Sequence, residues 1–476
     1  MIKRLKPKSE FAGNVLLLMT GSIVAQAIPI AISPILTRIY TPEDFGLFAA
    51  YMAIVSLIVS ISSLRYELAI PLAKSDKQAT NVLLLSCLLA ISIVILTGII
   101  IAVYSGAIIG GTSSSLTIDF LWLIPIGVLF GGFYQIFSFW SVRKKDFKTI
   151  STTKIRRSLA TAVIQLLGFS FGPVSLMISQ VVGMGVGVYV LAKGALNNLR
   201  FDSVRKYSIQ RIAKRYVKFP LFSAWAALFN VFSTNLPVIC LTGFGYIEEA
   251  GMFLIAQRVL ESPASILSSS INQVIHKDLS GYKAANRLGK YLEELIGRLA
   301  KASIGPAILI MLIAPSLTSI VFGDQWAELG KVLSYLIPFV VFSFIFSPMS
   351  TVISVMEWQK HGLFYQVLTA IISLVSLVFF LNYSEPLYGI LAYSVLRSIL
   401  ILLYRGFLLQ RLGVNVVMLV KILISNIILF SLYSSAVAYQ VQEPSMYLLY
   451  IMTLMSLAIV SYIYINWKVG GNKLKN

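Results

Sequence analysis

Charge is scarce in this sequence. Asp, Glu, Lys and Arg make up 12% of its 476 residues, about half the share of a soluble globular protein, which excludes a fold whose whole surface faces water. Thiols are scarcer still: Cys87 and Cys240 are the two cysteines, both inside hydrophobic stretches. That excludes a disulfide framework, and they read as small core residues. The two histidines, His276 and His361, fall at the expected inner ends of membrane spans with no Cys or His at ligand spacing, so no metal centre is expected. There is no GxxxxGK[ST] phosphate cradle and no polar segment long enough to hold a nucleotide-binding domain, so no cofactor is expected and any transport is driven by a gradient. A large outer loop with paired acids, as a membrane polymerase would need, is also missing. The longest outer connection, 105–118, is uncharged and rich in Gly, Ser and Thr.

What is abundant is carbon. Hydrophobic residues reach 57% and the mean hydropathy is +0.83, so the bilayer must serve as solvent for most of the chain. At roughly 20 apolar residues per crossing, about fourteen spans are expected, near 12–37, 45–64, 80–104, 119–141, 154–171, 173–192, 219–243, 248–275, 299–322, 330–355, 362–381, 386–404, 414–438 and 446–467. The first span is too long for a signal peptide and lacks a small-x-small cleavage site. Among the charges, 39 are Lys or Arg and 19 Asp or Glu, a net +20. On a soluble chain that excess would suggest nucleic acid, but its distribution decides otherwise. Connections such as 143–157 and 193–218 are basic, those between them (Glu43/Asp44, Asp119, Glu248/Glu249, Glu385, Glu443) are acidic, and both tails are basic, which places both termini in the cytoplasm.

The sequence also repeats. Leu36-Thr37-Arg38 through Glu43-Asp44-Phe45-Gly46-Leu47-Phe48 aligns without a gap with Leu241-Thr242-Gly243 through Glu248-Glu249-Ala250-Gly251-Met252-Phe253, a constant offset of 205 (Leu36 to Leu241). Six spans separate the copies, so the halves share an orientation and form a parallel repeat. The expected architecture is an all-α polytopic membrane protein: a first six-helix lobe in 1–192, a basic cytoplasmic linker in 193–218, a second six-helix lobe in 219–410 around a shared central cavity, and two appended spans with a tail in 411–476.

Three charges lie deep in expected spans: Arg258, Glu261 and Arg397. A charge near the bilayer centre costs several kcal/mol unless it faces water or a partner. Arg258 and Arg397 are therefore candidates to line a central cavity in the second half and bind an anionic headgroup, for which a planar guanidinium is well shaped. For Arg258 the competing reading is an ion pair with Glu261 on the same helix face. Glu261, the deep carboxylate, is the candidate to carry a coupling proton or sodium ion. Arg38 and Arg65 stand at the ends of the first two spans, as rims of an anion path or as residues snorkelling to headgroups. Lys154, Arg156 and Arg157 open the fifth span, where anchoring and headgroup attraction explain them equally. Asn14, Gln26, Asn230, Asn235, Asn272 and Gln273 add polar groups on the first, seventh and eighth spans, and Pro29, Pro34, Pro237, Pro263, Pro338 and Pro348 mark possible bends.

Leu36-Thr37-Arg38-Ile39-Tyr40-Thr41-Pro42-Glu43-Asp44-Phe45-Gly46-Leu47-Phe48, then Arg65-Tyr66-Glu67-Leu68-Ala69-Ile70-Pro71-Leu72, resembles the Wzx-type polysaccharide flippases of the MOP superfamily. So do Lys218-Phe219-Pro220-Leu221-Phe222-Ser223, Asn235-Leu236-Pro237 and the stretch from Ala250 to Leu260 that contains Arg258. The resemblance covers most of 10–280. It implies a two-lobed, non-enzymatic transporter of the bacterial inner membrane. Such a protein moves an undecaprenyl-diphosphate-linked oligosaccharide from the cytoplasmic to the periplasmic leaflet for O-antigen, capsule or exopolysaccharide assembly, alongside a polymerase and a chain-length regulator. Arg38, Arg65 and Arg258 match basic positions of the family; Arg397 rests on its membrane depth alone. The alternatives are a lipid II flippase, a multidrug exporter, which would want an acidic cavity, and a membrane polysaccharide polymerase.

Overall fold

A computed structural model describes residues 10–111, 118–196, 206–284, 288–356 and 358–414. The expected spans at 414–438 and 446–467, and both tails, lie outside these. Within them the chain is helical, with no strand among the described residues. The helices are α1 (Glu10–Ile39), α2 (Pro42–Ile61), α3 (Asp76–Gly111), α4 (Ile118–Arg143), α5 (Phe147–Leu167), α6 (Pro173–Leu196), α7 (Lys206–Arg215), α8 (Ala224–Gly243), α9 (Ile247–Ala284), α10 (Leu288–Phe322), α11 (Leu329–Ile345), α12 (Pro348–Val355), α13 (Gln359–Tyr383) and α14 (Pro386–Arg411).

Each of the first twelve expected spans falls on helix, with three differences. The tenth breaks after Ile345 and resumes at Pro348 as α12; a proline lacks the N–H that would continue the helix and pushes the residue before it out of helical geometry. The other five flagged prolines lie inside helices. The linker 193–218 contains a helix of its own, α7. The expected inner connection at 276–301 is mostly helical, because α9 and α10 extend into it. Between α5 and α6 the chain reverses: a 3-10 turn at Phe169–Phe171 leads to Gly172 at φ +59°, a backbone conformation that suits glycine, and Pro173 opens α6. The two helices pack side by side.

Among the described residues, ten helical segments are long and apolar enough to cross a membrane. The two remaining helices of spanning length are α5 and α9, and these carry Lys154, Arg157 and Arg258. The chain divides into two compact units: one takes the described residues of Met1–Arg258 with Gln366–Leu381, the other those of Val259–Tyr365 and Asn382–Asn476. In the first, α1 packs on α5, α5 on α6, α6 on α4, and α2 against α4 and α8. Its smaller core joins α3, α4 and α7 around Trp140, Ile136 and Ile212. In the second, α10, α11 and α14 pack around Leu292, Ile345, Met349 and Leu408.

The repeat seen in the sequence is visible in the packing of the first unit. A Cβ on Gly46 would stand 1.9 Å from the carbonyl oxygen of Ile247, and a Cβ on Gly251 would stand 2.0 Å from that of Pro42. Gly46 and Gly251 are repeat mates, and so are Pro42 and Ile247. Each glycine admits the other copy's helix start, so the contact is reciprocal about a local two-fold relation.

Candidate functional site

Helices α1, α2, α4, α5, α6, α8 and the first turns of α9 enclose a cavity of about 620 Å³ in the first unit. Among the described residues its charged lining is Lys154, Arg157 and Arg258, with no Asp or Glu. The neutral polar lining includes Ser22, Gln26, Ser56, Gln165, Gln180 and Asn235.

Local packing positions each cation. Close contact between α1 and α5 is held by two hydrogen bonds: Ser151 Oγ donates to the Leu17 carbonyl at 2.9 Å and Ser158 Oγ to the Ala25 carbonyl at 2.8 Å. That register turns Lys154 towards α1, where Nζ donates to Ser22 Oγ at 2.9 Å. One turn on, the Arg157 guanidinium lies over the Tyr134 ring, 5.1 Å from its centre, a cation–π contact that holds the side chain without neutralising it. Gly187 on α6 leaves room for that ring. Arg258 is partly buried, 6.0 Å over the Phe45 ring, and its Nη1 is buried with no hydrogen-bond partner. A buried guanidinium N–H left unmade is costly, and an oxyanion is the group that satisfies it best. Asn235 Nδ2 donates to Ser56 Oγ at 3.3 Å on the same wall.

The other expected residues sit elsewhere. Arg38 is exposed at the end of α1 and is not among the cavity's lining residues. Arg65 also stands apart: it adopts left-handed backbone geometry, φ +65°, and pairs with Glu67 at 3.4 Å. Glu67 is fully buried, accepts from Ser63 Oγ and, at 3.0 Å, from Gln135 Nε2; burial pushes its carboxyl up against the opposing pull of Ser63 and Arg65. In the second unit, Arg397 Nη1 donates to Tyr393 Oη at 2.7 Å and the guanidinium lies 5.0 Å from the Phe339 ring centre. Glu261 lies within electrostatic range of both Tyr393 and Arg397. A second cavity, about 550 Å³ between α10 and α11, has Lys331 as its charged lining residue, and Lys331 pairs with Glu328 at 3.5 Å. Of these two cavities, the first is lined by three cations and the second by one.

Gln26 and Asn235 line that cavity. Asn230 accepts from Gln366 Nε2 at 3.4 Å, and Asn272 Oδ1 is buried without a partner. The side chains of Asn14, Gln273 and His276 lie outside the described ones. No group of three or more His, Cys, Asp or Glu that could hold a metal ion occurs among the described residues. Lys154 and Arg157 line the cavity, where the sequence left anchoring and headgroup attraction as equal explanations; the packing of α5 on α1 places them there.

A protein-family model described as "Polysaccharide biosynthesis protein" matches residues 35–331. The succinoglycan biosynthesis transport protein ExoT of Rhizobium meliloti (strain 1021) is 22% identical over 344 residues, 69% of this chain and 65% of that relative, so the match spans less than two thirds of its length. Among solved structures, lipid II flippase MurJ in an inward closed conformation superposes with a TM-score of 0.74 at 13% identity, covering 96% of this chain and 98% of that one. An inward-facing multidrug resistance MATE family transporter of the MOP superfamily superposes with a TM-score of 0.57 at 14% identity, covering 83% and 95%. The fold is therefore that of the MOP-superfamily transporters, and with more than half its length matched by the family model, the chain is a multi-pass membrane protein belonging to the polysaccharide biosynthesis protein family.

Proposed function

We propose that the chain flips an undecaprenyl-diphosphate-linked oligosaccharide across the bacterial inner membrane, from the cytoplasmic to the periplasmic leaflet, with both termini cytoplasmic. The observation that carries this reading is a cavity whose charged lining, among the described residues, is Lys154, Arg157 and Arg258. A diphosphate supplies the counter-charge those side chains lack, Arg258 presenting a fork and Lys154 a point charge. The polar lining of α1, α5 and α8 suits sugar hydroxyls, while the polyprenyl tail stays in lipid. Transport proceeds by alternating access of two six-helix lobes, 1–192 and 219–410, joined through 193–218. Arg38 and Arg65 serve the two ends of the path, Arg397 a later anion contact, and Glu261 the coupling ion. Product release hands the substrate to a polymerase and its chain-length regulator.

The test replaces Arg258 and Lys154 by Gln and follows surface polysaccharide in cells and movement of a fluorescent lipid-linked oligosaccharide in proteoliposomes. Each charge-assisted hydrogen bond is worth about 1.5–3 kcal/mol, so each variant loses about tenfold or more of transport while inserting normally. Wild-type transport in the double variant overturns the cavity assignment. Lipid II carries the same diphosphate on a different sugar, so offering both substrates to the same proteoliposomes separates the two flippase readings.

A further inference from the structure

α7 is built differently from the spans around it. From Lys206 to Pro220 the chain holds no acid. One side of the helix is docked: Ile212 is buried, Tyr216 and Phe219 pack into the same core cluster, and Tyr66 Oη donates to the Ala213 carbonyl at 3.1 Å. The other side presents Arg211, Lys214, Arg215 and Lys218, all exposed, at spacings of three, one and three residues that make a single stripe. Directly after the stripe, the π-helical turn Phe219–Ser223 leads into α8, and here large apolar side chains stand open: Val217, Leu221, Phe222 and Trp225 are 42–70% exposed. Basic side chains beside exposed carbon and an indole are the composition of a surface lying at the level of lipid headgroups.

We infer that α7 and the turn after it form a binding surface for anionic phospholipids. Headgroup phosphates sit on Arg211, Lys214, Arg215 and Lys218, and the acyl chains run along Leu221, Phe222 and Trp225. Charge complementarity selects this occupant: an acid-free basic stripe gains nothing net from zwitterionic lipid, but about fivefold in affinity per basic residue from an anionic surface. Because α7 is docked on Tyr66, between Arg65 and Glu67, a lipid held there also steadies the turn that follows α2.

The experiment uses the full chain in phosphatidylcholine vesicles containing a minor fraction of either brominated phosphatidylglycerol or brominated phosphatidylcholine. Trp225 emission is isolated as the difference between the wild-type chain and Trp225→Phe. The anionic quencher is expected to be enriched at Trp225 by at least about fivefold, the preference one basic residue provides. Replacing Arg211, Lys214, Arg215 and Lys218 together by Gln brings the two quenchers level, and so does high salt acting on the wild-type chain, which needs no altered protein to fold. Equal quenching by the two lipids in the wild type, or a preference that survives either the substitutions or the salt, overturns the inference.

Discussion

Placing a single methyl group on Gly251 tests whether the α2–α9 contact opens during the working cycle. In Gly251→Ala the new Cβ would stand 2.0 Å from the Pro42 carbonyl oxygen and 2.7 Å from the Gly46 amide nitrogen. Both obstacles are backbone, so no side chain can swing aside and the helix starts must separate. Overpacking of this kind costs about 1–3 kcal/mol. If the chain also visits an arrangement with α2 and α9 apart, as alternating access requires, the cost falls only on the closed contact and the open arrangement rises about five- to 150-fold in relative population. Spin labels at Glu43→Cys and Glu248→Cys, both exposed repeat mates, read this directly once Cys87 and Cys240 are replaced by Ala. The expected result is a longer inter-label distance in Gly251→Ala and again in Gly46→Ala, whose Cβ would meet the Ile247 carbonyl oxygen at 1.9 Å. A lowered thermal midpoint with unchanged distances would refute the idea that this contact opens, and no change in either would refute the packing argument itself.

Glu67 and the deep charges of the second unit give further tests. Burial raises the Glu67 pKa above its ordinary 4.5 in the folded chain; a fold that binds the proton more tightly than the unfolded chain loses stability as pH climbs from the ordinary value through the raised one. Thermal midpoints should therefore fall from pH 4.5 upward and flatten in Glu67→Gln, and parallel slopes in the two proteins would count against it. Arg397→Ala is expected to abolish surface polysaccharide with normal insertion, while Tyr393→Phe, which removes the 2.7 Å partner, gives a partial loss; normal polymer in Arg397→Ala rejects a role for that guanidinium. Glu261→Gln should cut transport driven by an imposed proton or sodium gradient, and undiminished gradient-driven transport would remove Glu261 as the coupling residue.

Much of this was legible in the sequence, for reasons that differ from residue to residue. The spans follow from length and carbon, and the repeat from one gapless alignment that the Gly46–Gly251 contact reproduces. Arg258 was legible because a charge so far from either end of a span has few inexpensive places to go. Lys154 and Arg157 were not: they lie near the inner end of α5, where the positive-inside rule accounts for any cation, and only the packing of α5 on α1 turns them inward. Arg65 and Glu67 are two residues apart, a spacing that does not bring side chains together in a helix; the left-handed Arg65 and the 3-10 turn at Tyr66–Ala69 do so. Tyr393, four residues before Arg397, was a partner that helical spacing made available but that a search for acids passes over. α7 was hidden inside a segment read only for its charge, although Ile209, Ile212, Tyr216 and Phe219 recur at helical spacing.

That no carboxylate lines the cavity among the described residues also bears on mechanism. An internal acid would lower the cost of holding Lys154, Arg157 and Arg258 away from water. In the first cavity the positive charges are instead steadied by groups that carry no charge: the Ser22 hydroxyl, the Tyr134 face and the Phe45 face. Such partners hold a side chain in place and leave its field intact, so the favourable term of a neutralised site is reserved for whatever anion enters. An exporter of organic cations would be repelled by the same arrangement. On the function proposed above, a lipid-borne diphosphate is the anion that enters, held by cations that α5 and α9 contribute, helices that carry the first and second copies' sides of one cavity wall.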